Sequence, residues 1–339
     1  MSKNSNRNSN SSCCNKNGEQ FKTMIGGQAL IEGIMMLGPD KSAVVVRTKD
    51  GLQTKIEERE KKVSAFSLKQ LPFIRGIFNF WTSMKIGVGA MMYSADFMIE
   101  EETEEPVENP SKLDKWLEEK LSTGAFTTIA VILGICLSVG LFVILPSLIG
   151  SFIKRWIPNE LVHNLVEGLI RIVILVAYMG LMSLMKDMKR VFAYHGAEHK
   201  SIRCYEAKLP LTVENVRAQT RLHPRCGTSF LFVVLFLSIL VFSVASILLA
   251  PITPTFESAI ANALIRVLMK LILLPVVVGI AYEINRLVGR YDNWFTRAIS
   301  APGMWLQYIT TNEPDDSMIE VGIAALSAVI PEEEGSDLW

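Results

Sequence analysis

Long apolar blocks separated by polar segments dominate the chain. The blocks cover residues 123–150, 165–185, 229–250 and 262–288. Each is long enough for a helix to cross the hydrocarbon core of a bilayer, which takes about 20 residues. The pattern therefore predicts a mainly α-helical, polytopic membrane protein with about four transmembrane helices.

Residues 73–99 carry a weaker apolar pattern. Phe73 and Trp81 belong to an apolar helical face, but Arg75, Lys85 and several glycines interrupt it. Tryptophan and lysine at such positions suit the headgroup layer of a membrane. We therefore expect interfacial or re-entrant helices here, and not a full crossing.

A β-hairpin is predicted near the N-terminus. Ser42–Arg47 and Leu52–Glu57 are β-rich runs on either side of Thr48-Lys49-Asp50-Gly51, and Asp-Gly between such runs is a hairpin signal. We assign residues 22–72 to this region, with the Gly-rich residues 25–36 as a loop that feeds a strand. The expected fold thus includes a small cytoplasmic α+β portion.

The polar ends and one linker complete the organisation. Residues 1–21, rich in Ser, Asn and Lys, cannot bury enough apolar surface to fold and are expected to be disordered. Residues 100–122 read as an acidic linker followed by a short helix. In residues 289–339 we expect a break at Pro302-Gly303, then a capped amphipathic C-terminal helix and an acidic tail.

The basic residues predict the orientation in the membrane. Residues 186–228 contain nine lysines and arginines, residues 151–164 contain two, and residues 251–261 contain none. By the positive-inside rule, segment 186–228 and both termini are expected in the cytoplasm. The chain has 34 basic and 34 acidic residues, so nothing indicates a nucleic-acid partner. The expected partners are the lipid bilayer and, as an open alternative, another membrane protein.

Several cations fall inside the predicted spans, where charge is costly. Arg171, Arg266 and Lys270 lie toward the predicted outer ends. Long side chains at such positions can reach the headgroup layer, and we expect these three to do so.

Two histidines in Tyr194–Lys200 suggest a metal site. His195 and His199 lie four residues apart and Glu198 lies three from His195, so a helix would present all three on one face. Two imidazoles on one helix suit a divalent metal, with zinc as the expected ion and Glu198 as the general base. The spacing His-x-x-Glu-His is also that of inverted zinc peptidases. The alternative is that these histidines only hydrogen-bond neighbouring loops.

Further ligands are expected from distant parts of the chain. His223 and Cys226 precede the third span, and Glu283 lies near the cytoplasmic end of the fourth. The expected metal ligands are therefore His195, His199, His223, Cys226 and Glu283. An ion pair between Glu283 and Arg286 is the competing interpretation. Both halves can share one ion only if the chain bends, which we expect around Lys186–Arg190.

Several blocks together resemble one family. They are Gly26–Gly33, Tyr194–Lys200, His223–Ser229, Tyr282-Glu283 and Glu313–Asp316. They resemble the YqhQ-like bacterial membrane proteins, a family of unknown function often described as predicted metal-dependent enzymes. The resemblance covers roughly residues 22–331. It implies a multi-pass protein of the bacterial inner membrane that holds a metal.

Two functions fit these observations. The first is a metal-dependent hydrolase at the cytoplasmic face, which would act on a peptide bond or a lipid headgroup ester. The second is a non-enzymatic accessory factor for membrane-protein assembly or translocation, with a closed structural site or no metal. The number of ligands separates them, because a catalytic zinc keeps one position open. Transport gains little support, since no charge is expected at mid-membrane.

Overall fold

The fold joins long apolar helices to a small antiparallel sheet. The computed structural model describes residues 21–59, 70–103, 123–157, 159–254, 256, 259–333 and 335–338. Among them, four helical stretches are long and apolar enough to cross a membrane: Thr128–Ile153, Leu161–Met182, Gly227–Ile252 and Leu264–Arg290. The prediction of about four spans is confirmed.

The helices are numbered in chain order. They are α1 (Ile74–Thr103), α2 (Thr123–Val139), α3 (Leu145–Ile153), α4 (Glu160–Met182), α5 (Lys186–Glu206), α6 (Val213–Arg217), α7 (Gly227–Leu249), α8 (Ala259–Arg290), α9 (Trp294–Thr310) and α10 (Asp316–Ser327). A π-helical turn, Gly140–Ile144, joins α2 to α3, and a 3₁₀ turn, Ala250–Ile252, follows α7.

The sheet has four strands in sequence order. They are β1 (Gly26–Leu30), β2 (Gly33–Leu37), β3 (Lys41–Thr48) and β4 (Gly51–Glu58), each antiparallel to the next. The predicted hairpin is confirmed as β3–β4, and its turn uses Gly51 at a φ of +123°. The Gly-rich stretch, expected to be a loop before a strand, forms a second hairpin, β1–β2.

Helices cover both faces of the sheet. Along β3, Ala43 and Val45 pack against α5 and α10, while Val44 and Val46 point to the other face and pack with α1. Successive side chains of a strand alternate between faces, so a strand covered on both sides needs an unbroken apolar run. Residues 43–46 are such a run.

Helix α1 corrects the expectation for residues 73–99. The segment forms one continuous helix, Ile74–Thr103, and not a re-entrant pair. Near its start, Asn79 Nδ2 donates a hydrogen bond of 2.7 Å to the Tyr282 hydroxyl on α8. In its middle, Ala90 is buried against the sheet, and Phe97 packs on the same cluster. Contacts with α8 and with the sheet thus hold one continuous helix in place. Its position at the membrane interface stays a prediction.

Helix α9 corrects the expected break at Pro302-Gly303. Pro302 lies inside the helix Trp294–Thr310, and the chain continues through it. Gly303 packs directly against the backbone of Ser229 at the start of α7. Tertiary packing therefore maintains the helix where the local sequence predicted its end.

Buried charges inside the helical bundle correct another expectation. Arg171 is only 8% exposed and forms an ion pair with Glu167 on the same helix. Lys270 Nζ lies 2.5 Å from Glu167 Oε1, and Ser147 Oγ donates to the same oxygen at 2.9 Å. Arg171 and Lys270 thus converge on a carboxylate and do not extend toward the headgroups. Arg266 is exposed.

The predicted C-terminal helix is confirmed as α10. Its N-cap Asp315 accepts a hydrogen bond of 3.0 Å from the Met318 backbone N–H, as the acidic stretch before it predicted. Residues 100–103, assigned to the acidic linker, continue α1. Residues 1–20 and 104–122, with the expected tail and short helix, lie outside the described residues.

Candidate metal centre

Helix α5 brings the histidine motif to the sheet. Helix α4 ends at Met182 and α5 begins at Lys186, so the chain bends just before the expected position at Lys186–Arg190. Tyr194 and Ala197 are fully buried in the core that α5 shares with the sheet and α10. Packing on this face fixes the rotation of the helix and directs the histidines toward the start of α7.

Three candidate ligands come together. His195, His199 and Cys226 each offer one ligand atom, and these atoms lie within 4.8 Å of one another. His195 Nε2 is 3.1 Å from Cys226 Sγ, and the two imidazole centroids are 4.4 Å apart. Residues 31 positions apart in sequence, His195 and Cys226, are thereby joined in one group. The structure brings together these three of the five expected ligands.

Backbone carbonyls fix the orientation of both imidazoles. His195 Nδ1 lies 2.8 Å from the Thr310 carbonyl oxygen, and His199 Nδ1 lies 2.5 Å from that of Arg221. A carbonyl oxygen can only accept, so each Nδ1 carries the proton. Each Nε2 then presents a lone pair to the group. Metal-bound histidines are commonly held in this way by the second ring nitrogen.

Cys226 is the N-cap of α7 and receives two hydrogen bonds. Thr228 donates to its Sγ from the backbone N–H at 3.5 Å and from the hydroxyl at 3.3 Å. Burial alone would raise the pKa of the thiol, but His199 and Thr228 outweigh burial and lower it. This environment favours the thiolate, the form of cysteine that binds metal.

Two buried atoms beside these groups, His199 Nε2 and Glu198 Oε2, have no hydrogen-bond partner among the described residues. Burial lowers the pKa of His199 to about 4, so its imidazole is neutral. A thiolate has no proton for either Nε2 lone pair, and a thiol could satisfy only one of the two. The donor set of two neutral imidazoles and a cysteine sulfur therefore suits a divalent cation such as zinc.

Glu198 lies beside the group, pressed against β1. Its side chain is 5% exposed and accepts a hydrogen bond from the Gly27 backbone. A Cβ at Gly27 would lie 2.9 Å from Cγ and Cδ of Glu198, so only glycine permits this approach. Burial raises the pKa of Glu198 to about 8. Gly27 of the Gly-rich stretch thus has a packing role at the site.

His223 lies behind the three ligands and outside their group. Its ring centroid is 5.5 Å from that of His199, but its Nε2 lies 3.6 Å from Glu206 Oε2. Arg225 forms the ion pair with Glu206. Burial lowers the pKa of His223 to about 4. The expected ligand role is therefore not seen, because the imidazole is directed to a carboxylate.

Glu283 lies apart from the centre. Both of its oxygens pair with the Arg75 guanidinium on α1, and the Phe73 backbone N–H also donates to it at 3.3 Å. The expected role of Glu283 as a metal ligand is not seen, because Arg75 of α1 is its partner. The competing pair with Arg286 is not the one observed, since Arg75 occupies both oxygens.

Residues that the sequence did not single out hold the site together. The Gln307 amide accepts from the His223 backbone N–H at 2.8 Å and donates to the His223 carbonyl at 2.7 Å. Glu206 accepts a hydrogen bond of 2.9 Å from the Thr23 backbone N–H. Both come from elements remote in sequence from the residues they hold, so no local pattern indicated them.

Comparison with known proteins gives a family and a relative. The sequence profile of the family described as "Protein of unknown function (DUF1385)" matches residues 71–332. "Uncharacterized protein YqhQ" of Bacillus subtilis (strain 168) is 32% identical over 308 residues, which cover 90% of this chain and 92% of the relative. No solved structure matches the chain.

Proposed function

The chain belongs to the DUF1385 family, and on that premise we propose that it is a membrane-bound metal-dependent hydrolase. Its site would face the cytoplasm of a bacterial cell. One observation carries the proposal: two imidazoles, each with its proton held by a carbonyl, direct Nε2 toward the same cysteine sulfur. Hydrogen bonding among the described residues leaves one of those nitrogens unsatisfied.

His195, His199 and Cys226 would hold the ion. Zinc bound by such a set is a Lewis acid and lowers the pKa of water to about 7. With three protein ligands a fourth position stays available, as catalytic zinc sites require. His195 is the least buried of the three, so we expect substrate to enter on its side.

Glu198 would move the proton. Gly27 holds one end of its carboxyl group, while Oε2 is buried without a partner in the described chain. A dication held by the three ligands would lower the raised pKa of Glu198 and favour its carboxylate. That carboxylate could accept a proton from water and return it to a leaving group. Because Glu198 is buried and the Gly27 backbone donates to it, its carboxyl group is oriented before substrate arrives.

Metal analysis of the purified full-length protein tests this proposal. We expect about one zinc per chain in the wild type, on the stoichiometry of a single three-ligand site. His199→Ala and Cys226→Ala should lose the metal, because each removes a ligand. Cys204→Ala is the matched control: Cys204 is buried like Cys226 but lies outside the three-ligand group, so this variant should retain the metal.

Glu198→Gln separates the two functions that fit the sequence. Under the hydrolase proposal this variant keeps the zinc but loses activity, since glutamine preserves size and removes the base. Loss of the zinc in Glu198→Gln would make Glu198 a fourth ligand. The site would then be closed and structural, and the accessory role in membrane-protein assembly or translocation would replace the hydrolase.

A further inference from the structure

A cavity of about 460 Å³ lies next to the candidate metal centre. It is lined by α9, the last turns of α5 and α8, and the segment that precedes α7. Its volume falls in the range of small-molecule sites, about 300–1,000 Å³. His223 separates it from the three ligands: Glu206 lines the cavity and lies 3.6 Å from His223, whose ring is 5.5 Å from His199.

Positive charge predominates in the lining of this cavity. Four cations, Lys22, Arg203, Arg225 and Arg297, face two carboxylates, Glu206 and Asp292. Arg225 pairs with Glu206, and Arg297 pairs with Asp292. The formal net charge of the lining is therefore +2, which calls for an anionic occupant.

Arg203 is the cation best placed to bind that occupant. Its Nε donates a hydrogen bond of 2.6 Å to the Leu222 carbonyl, which fixes the plane of the guanidinium. Within the described part of the chain it forms no ion pair. A guanidinium held in one plane matches the oxygens of a phosphate group in bidentate fashion.

The position of the cavity indicates an amphiphilic occupant. Val288 lies in the last turns of one candidate span, and Arg225 directly precedes another. Trp305 and Tyr308 of α9 also line the cavity and are 68% and 59% exposed. Exposed tryptophan and tyrosine at the ends of membrane spans are typical of the headgroup layer.

From these four observations we infer that the cavity binds the phosphate ester headgroup of an anionic membrane lipid. Arg203 holds the phosphate, and the aromatic residues of α9 contact the glycerol and the upper acyl chains. The lipid site is separate from the candidate centre, because His223 lies between them. Lipid binding itself does not depend on the metal.

Native mass spectrometry of the full-length protein in detergent tests the inference. The probes are dioctanoylphosphatidylglycerol, dioctanoylglycerol without phosphate, and glycerol 3-phosphate without acyl chains. We expect saturable binding of the first and much weaker binding of the other two. Arg203→Gln should weaken lipid binding about tenfold, the effect of one charged hydrogen bond. Arg297→Gln, at an exposed pair, should weaken it about threefold.

Arg217→Gln is the matched control. Arg217 forms an exposed ion pair with Asp316, like that of Arg297 with Asp292, but lies outside the cavity. This variant should bind lipid like the wild type. Equal binding of dioctanoylglycerol, or no effect of Arg203→Gln, would overturn the inference. If glycerol 3-phosphate binds as tightly as dioctanoylphosphatidylglycerol, the cavity is a site for a soluble phosphate ester, and the inference that it binds a lipid is refuted.

Zinc content measured on the same samples keeps the two proposals separate. Lipid binding without zinc in the wild type would leave the cavity assignment standing and end the hydrolase proposal. Zinc binding without lipid binding would leave the hydrolase proposal standing and end the cavity assignment. Arg203→Gln should keep its zinc, because Arg203 does not contact the three candidate ligands in the described structure.

Discussion

Gln307 gives a quantitative test of how the site is built. Its side chain is fully buried, and its amide contacts both the N–H and the carbonyl of the His223 backbone. Gln307→Leu preserves volume and removes both of these hydrogen bonds, together with the one of 3.3 Å that Nε2 donates to Ser229 Oγ. Each buried backbone group left without a partner costs about 1–3 kcal/mol. The variant should therefore lose about 2–6 kcal/mol of unfolding free energy, twice the single-group value.

Unfolding in mixed micelles of increasing SDS content, followed by tryptophan fluorescence, measures this loss. Gln219→Leu is the control, because Gln219 is only half-buried and its amide makes one hydrogen bond, to the Asn215 carbonyl at 3.2 Å. It should change the free energy by less than about 1 kcal/mol. Since the His223 loop leads to Cys226, Gln307→Leu should also bind zinc about tenfold more weakly. Equal stability of the two variants would refute the reasoning.

Three further predictions follow from the fold. Gly27→Ala should destabilise the protein by about 1–3 kcal/mol through overpacking. Gly26→Ala, with no atom within 4 Å of its new Cβ, should leave the thermal unfolding temperature nearly unchanged. Glu167→Gln should cost about 3–5 kcal/mol in SDS unfolding, because two buried cations lose their counter-charge; a loss below 1 kcal/mol would contradict this. Cysteine labelling of intact cells should reach residues 151–164 and not 186–228, and the reverse result would invert the proposed orientation.

The spans and the β3–β4 hairpin could be predicted because each is encoded locally. An apolar block of sufficient length, or Asp-Gly between β-rich runs, specifies an element without reference to the rest of the chain. The β1–β2 hairpin lacked that signal. Gly27 and Gly33 serve close packing, against Glu198 and the Val45 backbone, and the same residues read from sequence as a loop.

Tertiary contacts determine two features that the sequence pattern predicted differently. The depth of Glu283 in a span makes it an expected metal ligand. In the structure α1 crosses that position and supplies Arg75 as its partner. Pro302 has a helix-breaking signal that the packing of Gly303 on Ser229 overrides. In both cases the determining partner lies far away in sequence, where no periodic pattern records it.

The candidate site was predictable in part. The His195–His199 spacing indicated one helix face, and the structure places Cys226 beside it. His223 was grouped with them because it is close in sequence, but Glu206 turns its imidazole away. Hydrogen bonds from these histidines to neighbouring segments were the alternative interpretation, and the structure shows them. Which carbonyls accept them could not be predicted, because that depends on where separate segments end.

X-ray absorption spectroscopy at the zinc edge tests the central claim most directly. On the full-length protein loaded with one equivalent of zinc, we predict one sulfur at about 2.3 Å and two imidazole nitrogens at about 2.0–2.1 Å, with the sulfur lost in Cys226→Ala. A shell of nitrogen and oxygen without sulfur would contradict the account, as would a protein that retains no zinc.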